Sequence, residues 1–121
     1  MKTNEVLENI KARRSVRAYT GQQVLEEDLQ AILEAATYAP SGMHLETWHF
    51  TAIQNMDKLT ELNERIKGAF AKSDDSRLQE RGHSKTYCCY YHAPTLVIVS
   101  NEPTQWWAGM DLSLIHISEP T

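Results

Sequence analysis

Residues 26–53, EEDLQAILEAATYAPSGMHLETWHFTAI, decide the fold: they pass from a helical period to a strand across one proline- and glycine-containing loop. Leu29, Ile32, Leu33 and Ala36 recur at three- and four-residue spacing, the single apolar stripe of an amphipathic helix. Glu26, Glu27 and Asp28 place negative charge at its N-terminal end, where the helix dipole favours it. Pro40 ends the helix, because the residue before a proline is pushed out of the α region. Trp48 to Ile53 then reads as a strand.

Toward the N-terminus, Asn4 to Arg13 predicts a helix with Asn4 as N-cap and Val6, Leu7 and Ile10 on one buried face. An extended stretch through Tyr19 and a turn at Thr20-Gly21 follow. Toward the C-terminus, Asp57 is the expected N-cap of a third helix, whose face is Leu59, Leu62, Ile66 and Phe70 and whose end Gly68 weakens. Ser73 to Lys85 is polar and lacks a clear period, which predicts a loop or irregular insertion. Ala93 to Ser100 is almost continuously apolar and β-branched, the pattern of a buried central strand. This order of elements predicts a layered α+β or α/β domain with its sheet covered on both faces.

The 121 residues fit one domain, and 41% hydrophobic with 23% charged residues is an ordinary globular composition. A net charge of -4 argues against general nucleic-acid binding, which needs a basic face. Lys11, Arg13, Arg14 and Arg17 nevertheless cluster in one short run, a local positive site suited to a small anion. No stretch has the apolar length of a bilayer span, and the first residues do not resemble a signal peptide. Cys88 and Cys89 are adjacent and have no second pair with which to build a metal site. Two free thiols in a reducing, cytoplasmic setting are the simplest expectation.

Two motifs carry chemistry. If the chain is extended after the first helix, alternation puts Arg13, Ser15 and Arg17 on one side and Arg14 and Val16 on the other. Two guanidinium forks and a hydroxyl suit a phosphate group, while a solvated cationic helix end explains the same spacing without any ligand. In Ala39-Pro40-Ser41-Gly42-Met43-His44, Gly42 allows backbone amides to approach a flat ring, and an ordinary helix-terminating loop is the alternative. Ser41 is not in a G-x-S-x-G elbow, and His44 and His49 lack the i, i+4 spacing of a zinc helix, so neither a nucleophile nor a metal site is expected. Tyr87, Tyr90, Tyr91, Trp106 and Trp107 read as core or interface aromatics, and His92 as structural.

On Arg13-Arg14-Ser15-Val16-Arg17, Ala39 to His44 and Trp48-His49-Phe50, the chain from Asn4 to about Asp111 resembles the FMN-dependent nitroreductase family. The resemblance implies an α+β fold, a three-layer α/β/α sandwich with a mostly antiparallel central sheet, here truncated. It implies a homodimer with FMN at the interface and NADH or NADPH as electron donor. Nitroaromatics or quinones would be reduced by ping-pong hydride transfer. By the same resemblance, Arg13, Arg14 and Ser15 hold the FMN phosphate and ribityl chain and Arg17 lies against the flavin. Pro40, Ser41, Gly42 and His44 reach the isoalloxazine of the other subunit's FMN. No catalytic side chain is implied.

The chain departs from the family pattern at His44, where Asn is common, and at Glu46, where Gln is common. A carboxylate near a flavin would disfavour its anionic reduced state. Trp106 to Asp111 resembles the start of the family's central helix, whereas Leu112 to Thr121 (LSLIHISEPT) resembles translated sequencing-adapter read-through. The expected division is therefore residues 1–111, the N-terminal part of the domain, and 112–121, a non-native tail. Two other readings are a truncated, catalytically incompetent flavin- or anion-binding fragment and an anion-binding module without a redox role.

Overall fold

In the computed structural model, residues 3–41, 43 and 46–102 are described. Gly42, His44, the segment Trp106 to Asp111 and the expected tail 112–121 lie outside them. The element order is α1 (Glu5–Ala12), α2 (Glu26–Thr37), β1 (His49–Ile53), α3 (Met56–Ala71), α4 (Ser76–His83) and β2 (Leu96–Ser100). The two strands pair directly. They run antiparallel, since the Ser100 hydroxyl donates to the His49 carbonyl (3.4 Å) at one end and Gln54 Nε2 to Thr95 Oγ1 (3.0 Å) at the other.

The chain divides into two compact units, one holding α1, α2, residues 49–51 and residues 98–100, the other residues 17–23, α3, α4, 52–53 and 96–97. In the first unit, Ala36 and Ala39 are buried, with Trp48, Phe50 and Val99 packed against them. In the second, Leu59, Cys88, Tyr90 and Ala93 form the core, joined by Ile53, Cys89 and Leu96.

Four local expectations are corrected. First, α1 has the expected cap, with Asn4 Oδ1 accepting from Leu7 N–H at 2.9 Å, but it buries no residue. Val6, Leu7 and Ile10 are exposed, because a helical period fixes which face is apolar and not what covers it. Second, the N-cap of α3 is Asn55, whose side chain accepts from Lys58 N–H at 3.0 Å. Asp57 is the second residue of the helix, in its first turn, where the dipole favours an acid, and the helix runs through Gly68 to Ala71. Third, the expected loop 73–85 contains α4, which begins at Asp75 and has Arg81 and His83 in its last turn. Fourth, β2 is half-buried, with Ile98 exposed, where full burial was expected.

Asp75 caps α4 by accepting from Arg77 N–H (2.8 Å) and Leu78 N–H (3.4 Å). Those bonds, the Arg77 backbone one first and its guanidinium next, hold the carboxyl below its ordinary value of 3.8. A depressed carboxylate stabilises the fold above its unfolded pKa, and that contribution disappears as pH falls through the folded value. Acidification below 3.8 should therefore loosen α4, read as loss of amide protection at Arg77 and Leu78. Asp75→Asn, a neutral cap, should remove this pH dependence and leave the helix in place.

α4 packs along α3, and Gly82 is a point of close backbone approach. A Cβ there would collide with Ala71 N and would lie 2.7 Å from both Ala71 Cα and the Lys67 carbonyl oxygen. Asn63, buried on α3, donates from Nδ2 to the Tyr87 carbonyl (3.2 Å) and accepts at Oδ1 from Cys89 N–H (2.9 Å). It thereby fastens segment 87–89 to the helix. Farther along the chain, Tyr91 (φ 54°) and His92 (φ 58°) are consecutive left-handed residues, closed by Ala93 N–H donating to the Tyr90 carbonyl at 3.0 Å. This is the pattern of a type I′ turn, which favours Asn-Gly and is strained for other L-residues. His92→Gly should stabilise the protein by about 1 kcal/mol, seen as a higher urea midpoint at unchanged slope.

Gln23, at the end of segment 17–23, which bends at Gly21, is held by a side-chain network. Its Nε2 donates to the Gln54 (3.3 Å) and Pro94 (3.1 Å) carbonyls, and its Oε1 accepts from Thr95 Oγ1 (2.6 Å).

Candidate flavin-phosphate and ring-facing site

The basic run begins where α1 stops. Arg13 is the C-cap residue, with φ -52° and ψ 134°, so the chain leaves the helix at that point. Arg13, Arg14, Ser15 and Arg17 are all exposed. Arg14 bends back and donates from Nη1 to the carbonyls of Lys11 (3.0 Å) and Arg13 (2.8 Å), which satisfies C-terminal groups that a helix leaves without partners. Its guanidinium is engaged there. The described ion pairs, Lys58–Glu61, Arg65–Glu61, Lys67–Glu64 and Arg77–Asp75, do not involve Arg13 or Arg17. Those two guanidinium groups therefore suit an external anion better than Arg14 does.

The second motif is fixed at both ends within the first unit. Ala39 is buried against the cluster of Trp48, Phe50 and Val99, which seats the loop entrance. Pro40 is exposed and Ser41 half-buried. Ser41 Oγ accepts from Glu46 N–H at 3.0 Å, a bond across the loop. Met43 (φ 54°) and Glu46 (φ 47°) both adopt left-handed backbone, a strained arrangement for residues with a Cβ. At the exit, Thr47 Oγ1 donates to Asn101 Oδ1, tying the loop to the residue after β2.

Asn101 is a site-supporting residue that sequence reasoning missed. Its Oδ1 also accepts from Glu102 N–H at 2.8 Å, which fixes the amide orientation. Its Nδ2 is buried and has no partner among the described residues. No local signal links Thr47 to a residue 54 positions later. Both cysteines are free thiols, and burial, with Cys88 beside it, pushes the Cys89 thiol up from its ordinary value. Among the described residues, no group of His, Cys, Asp and Glu side chains is placed to hold a metal ion, and no helix is long and apolar enough to cross a membrane.

The α+β elements, a cationic extended segment after α1 and a closed loop before β1 define a class of fold that known proteins share. A crystallised nitroreductase with bound FMN from Bacteroides fragilis is 77% identical and superposes with a TM-score of 0.91, over 93% of this chain and 60% of that one. A nitroreductase with bound FMN from Desulfitobacterium hafniense is 31% identical with a TM-score of 0.81, over 97% of this chain and 63% of that one. A Methanothermobacter thermautotrophicus relative, provisionally named an NADH dehydrogenase/NAD(P)H nitroreductase, is 42% identical over 60 residues, 50% of this chain and 31% of its own. Residues 10–115 match the nitroreductase family, and the chain belongs to it. It spans less than two thirds of the length of these relatives.

Proposed function

We propose that this chain is part of an FMN-dependent NAD(P)H oxidoreductase that reduces nitroaromatics, quinones or similar electron-poor acceptors. The observation that carries the reading is that Arg13 and Ser15 are exposed just past the end of α1, in a sequence 77% identical to a nitroreductase with bound FMN. These residues fit a phosphate: Arg13 presents a fork with no described ion pair, and Ser15 adds a hydroxyl. Arg17 supplies a further cation toward the flavin. Arg14 supports the site indirectly, by capping α1 and setting the direction of the chain. Pro40 and Ser41 would face the ring, with Ser41 tied to Glu46, and the family resemblance assigns Gly42 and His44 to the same contact. Bound FMN supplies the chemistry, hydride exchange between NAD(P)H and the acceptor, so the protein's share is anchoring and orientation.

The exposed Val6, Leu7 and Ile10 face of α1 supports a homodimer in which a second copy covers it. The free thiols of Cys88 and Cys89 fit a reducing, cytoplasmic compartment. The test is an absorption spectrum after FMN addition and desalting. Retained flavin bands that bleach anaerobically with NADH or NADPH support the reading, and Arg13→Ala should weaken FMN binding about tenfold. Retained bands that never bleach would select the second reading, a flavin-binding piece without turnover. If this chain and a version of the relatives' full length both stay colourless, the proposal fails.

A further inference from the structure

The second unit contains a cavity of about 370 Å³ between α3 and the segment 85–92, lined by none of the residues assigned above to FMN. Thr60, Glu64 and Lys67 are among the residues that line it from α3, and Lys85, Thr86 and Tyr87 among those from the following segment. The Lys67 side chain is only 14% exposed, yet its described ionic contact is a single one, to Glu64 Oε1 at 3.4 Å. Glu64 is itself 64% exposed. The Lys67 stem is packed on the wall, and a long contact to a solvated carboxylate is one that a better anion can replace. Lys85 brings a second ammonium to the same space, so the lining is net cationic in a chain of net charge -4. The Arg81 guanidinium, 5.8 Å from the centre of the Tyr87 ring, adds positive charge beside another wall residue.

We propose that this cavity binds a small ligand bearing an oxyanion, a carboxylate or a phosphate, between the Lys67 and Lys85 ammonium groups. The Thr86 hydroxyl, 3.3 Å from Ser84 Oγ, can turn its hydrogen to the ligand, whereas Thr60 donates to the Met56 carbonyl at 2.9 Å and serves only as wall. Glu64 yields its place on Lys67 to the ligand and turns to solvent, where most of its side chain already lies. The site is independent of the flavin reading.

The test is a titration of the whole 121-residue chain, followed by amide NMR shifts, with inorganic phosphate and separately with benzoate. Saturable shifts at Lys67, Lys85 and Thr86 are expected. Response to phosphate alone, to benzoate alone or to both identifies the oxyanion, and each supports the site. Lys67→Met and Lys85→Met keep the aliphatic stem and should each weaken binding about tenfold, while Arg13→Ala should leave it unchanged. Lys85 is exposed, so its variant tests the idea even if the Lys67 variant fails to fold. Shifts that never saturate, that survive Lys85→Met, or that vanish in Arg13→Ala would overturn the proposal.

Discussion

Gly82→Ala should lower stability by about 3 kcal/mol, a large effect for the addition of one methyl group. The added Cβ would meet the backbone of Ala71 and the Lys67 carbonyl, and no rotamer change can move a backbone atom aside. α4 must then lift off α3 or the end of α3 must distort. Gly68→Ala is the matching control: it lies on the same helix pair with nothing within 4 Å of its added Cβ. There, relief of glycine's backbone entropy should stabilise the helix by about 0.5–1 kcal/mol. Denaturant unfolding of both variants checks the pair. Equal effects at the two positions would mean that Gly82 is not a contact point.

Asn63→Ala should cost about 2–4 kcal/mol, because it leaves the Cys89 N–H and the Tyr87 carbonyl without their partner in a buried setting. Asn63→Asp separates the two bonds. It keeps an acceptor for Cys89 N–H but loses the donor to Tyr87 and buries a carboxylate facing a carbonyl. Its stability should therefore recover as pH falls and the carboxyl protonates, whereas that of Asn63→Ala should show no such recovery. Urea midpoints measured at neutral and acidic pH distinguish the two. A fall in both variants of under about 0.5 kcal/mol would mean that the loop holds without the amide.

Residues with strong local signals were legible. The stripe and acidic first turn of α2, the Asn4 cap of α1, the strand before Ile53 and the cationic run after α1 all follow from short-range rules. α4 was missed because Leu78 is the one large apolar side chain in SRLQERGH, so no apolar period exists to be read. Its signal was Asp75 at the start with Arg81 and His83 at the end. The α3 cap was misplaced because Asn55 and Asp57 are both good capping types, and only tertiary context chooses between them. Asn63 had a legible sign, a polar residue on the stripe of Leu59 and Ile66, although its partners lie 24 and 26 positions away. Of the candidate site, the residue types of the phosphate motif could be read from sequence. The diversion of Arg14 to helix carbonyls and the Thr47–Asn101 tie depend on where the chain goes in space.

The Gln23 network bears on Arg17, which stands six residues before it in the same unit. Six extended residues span at most about 20 Å, so a tether of that length confines the Arg17 charge to a small sphere around a fixed point. In polymer terms the guanidinium is present at high effective concentration for whatever sits within its reach. Arg13, the end of α1, anchors it four residues away on the other side, so loss of Gln23 would remove one of two tethers and leave the cation itself unchanged.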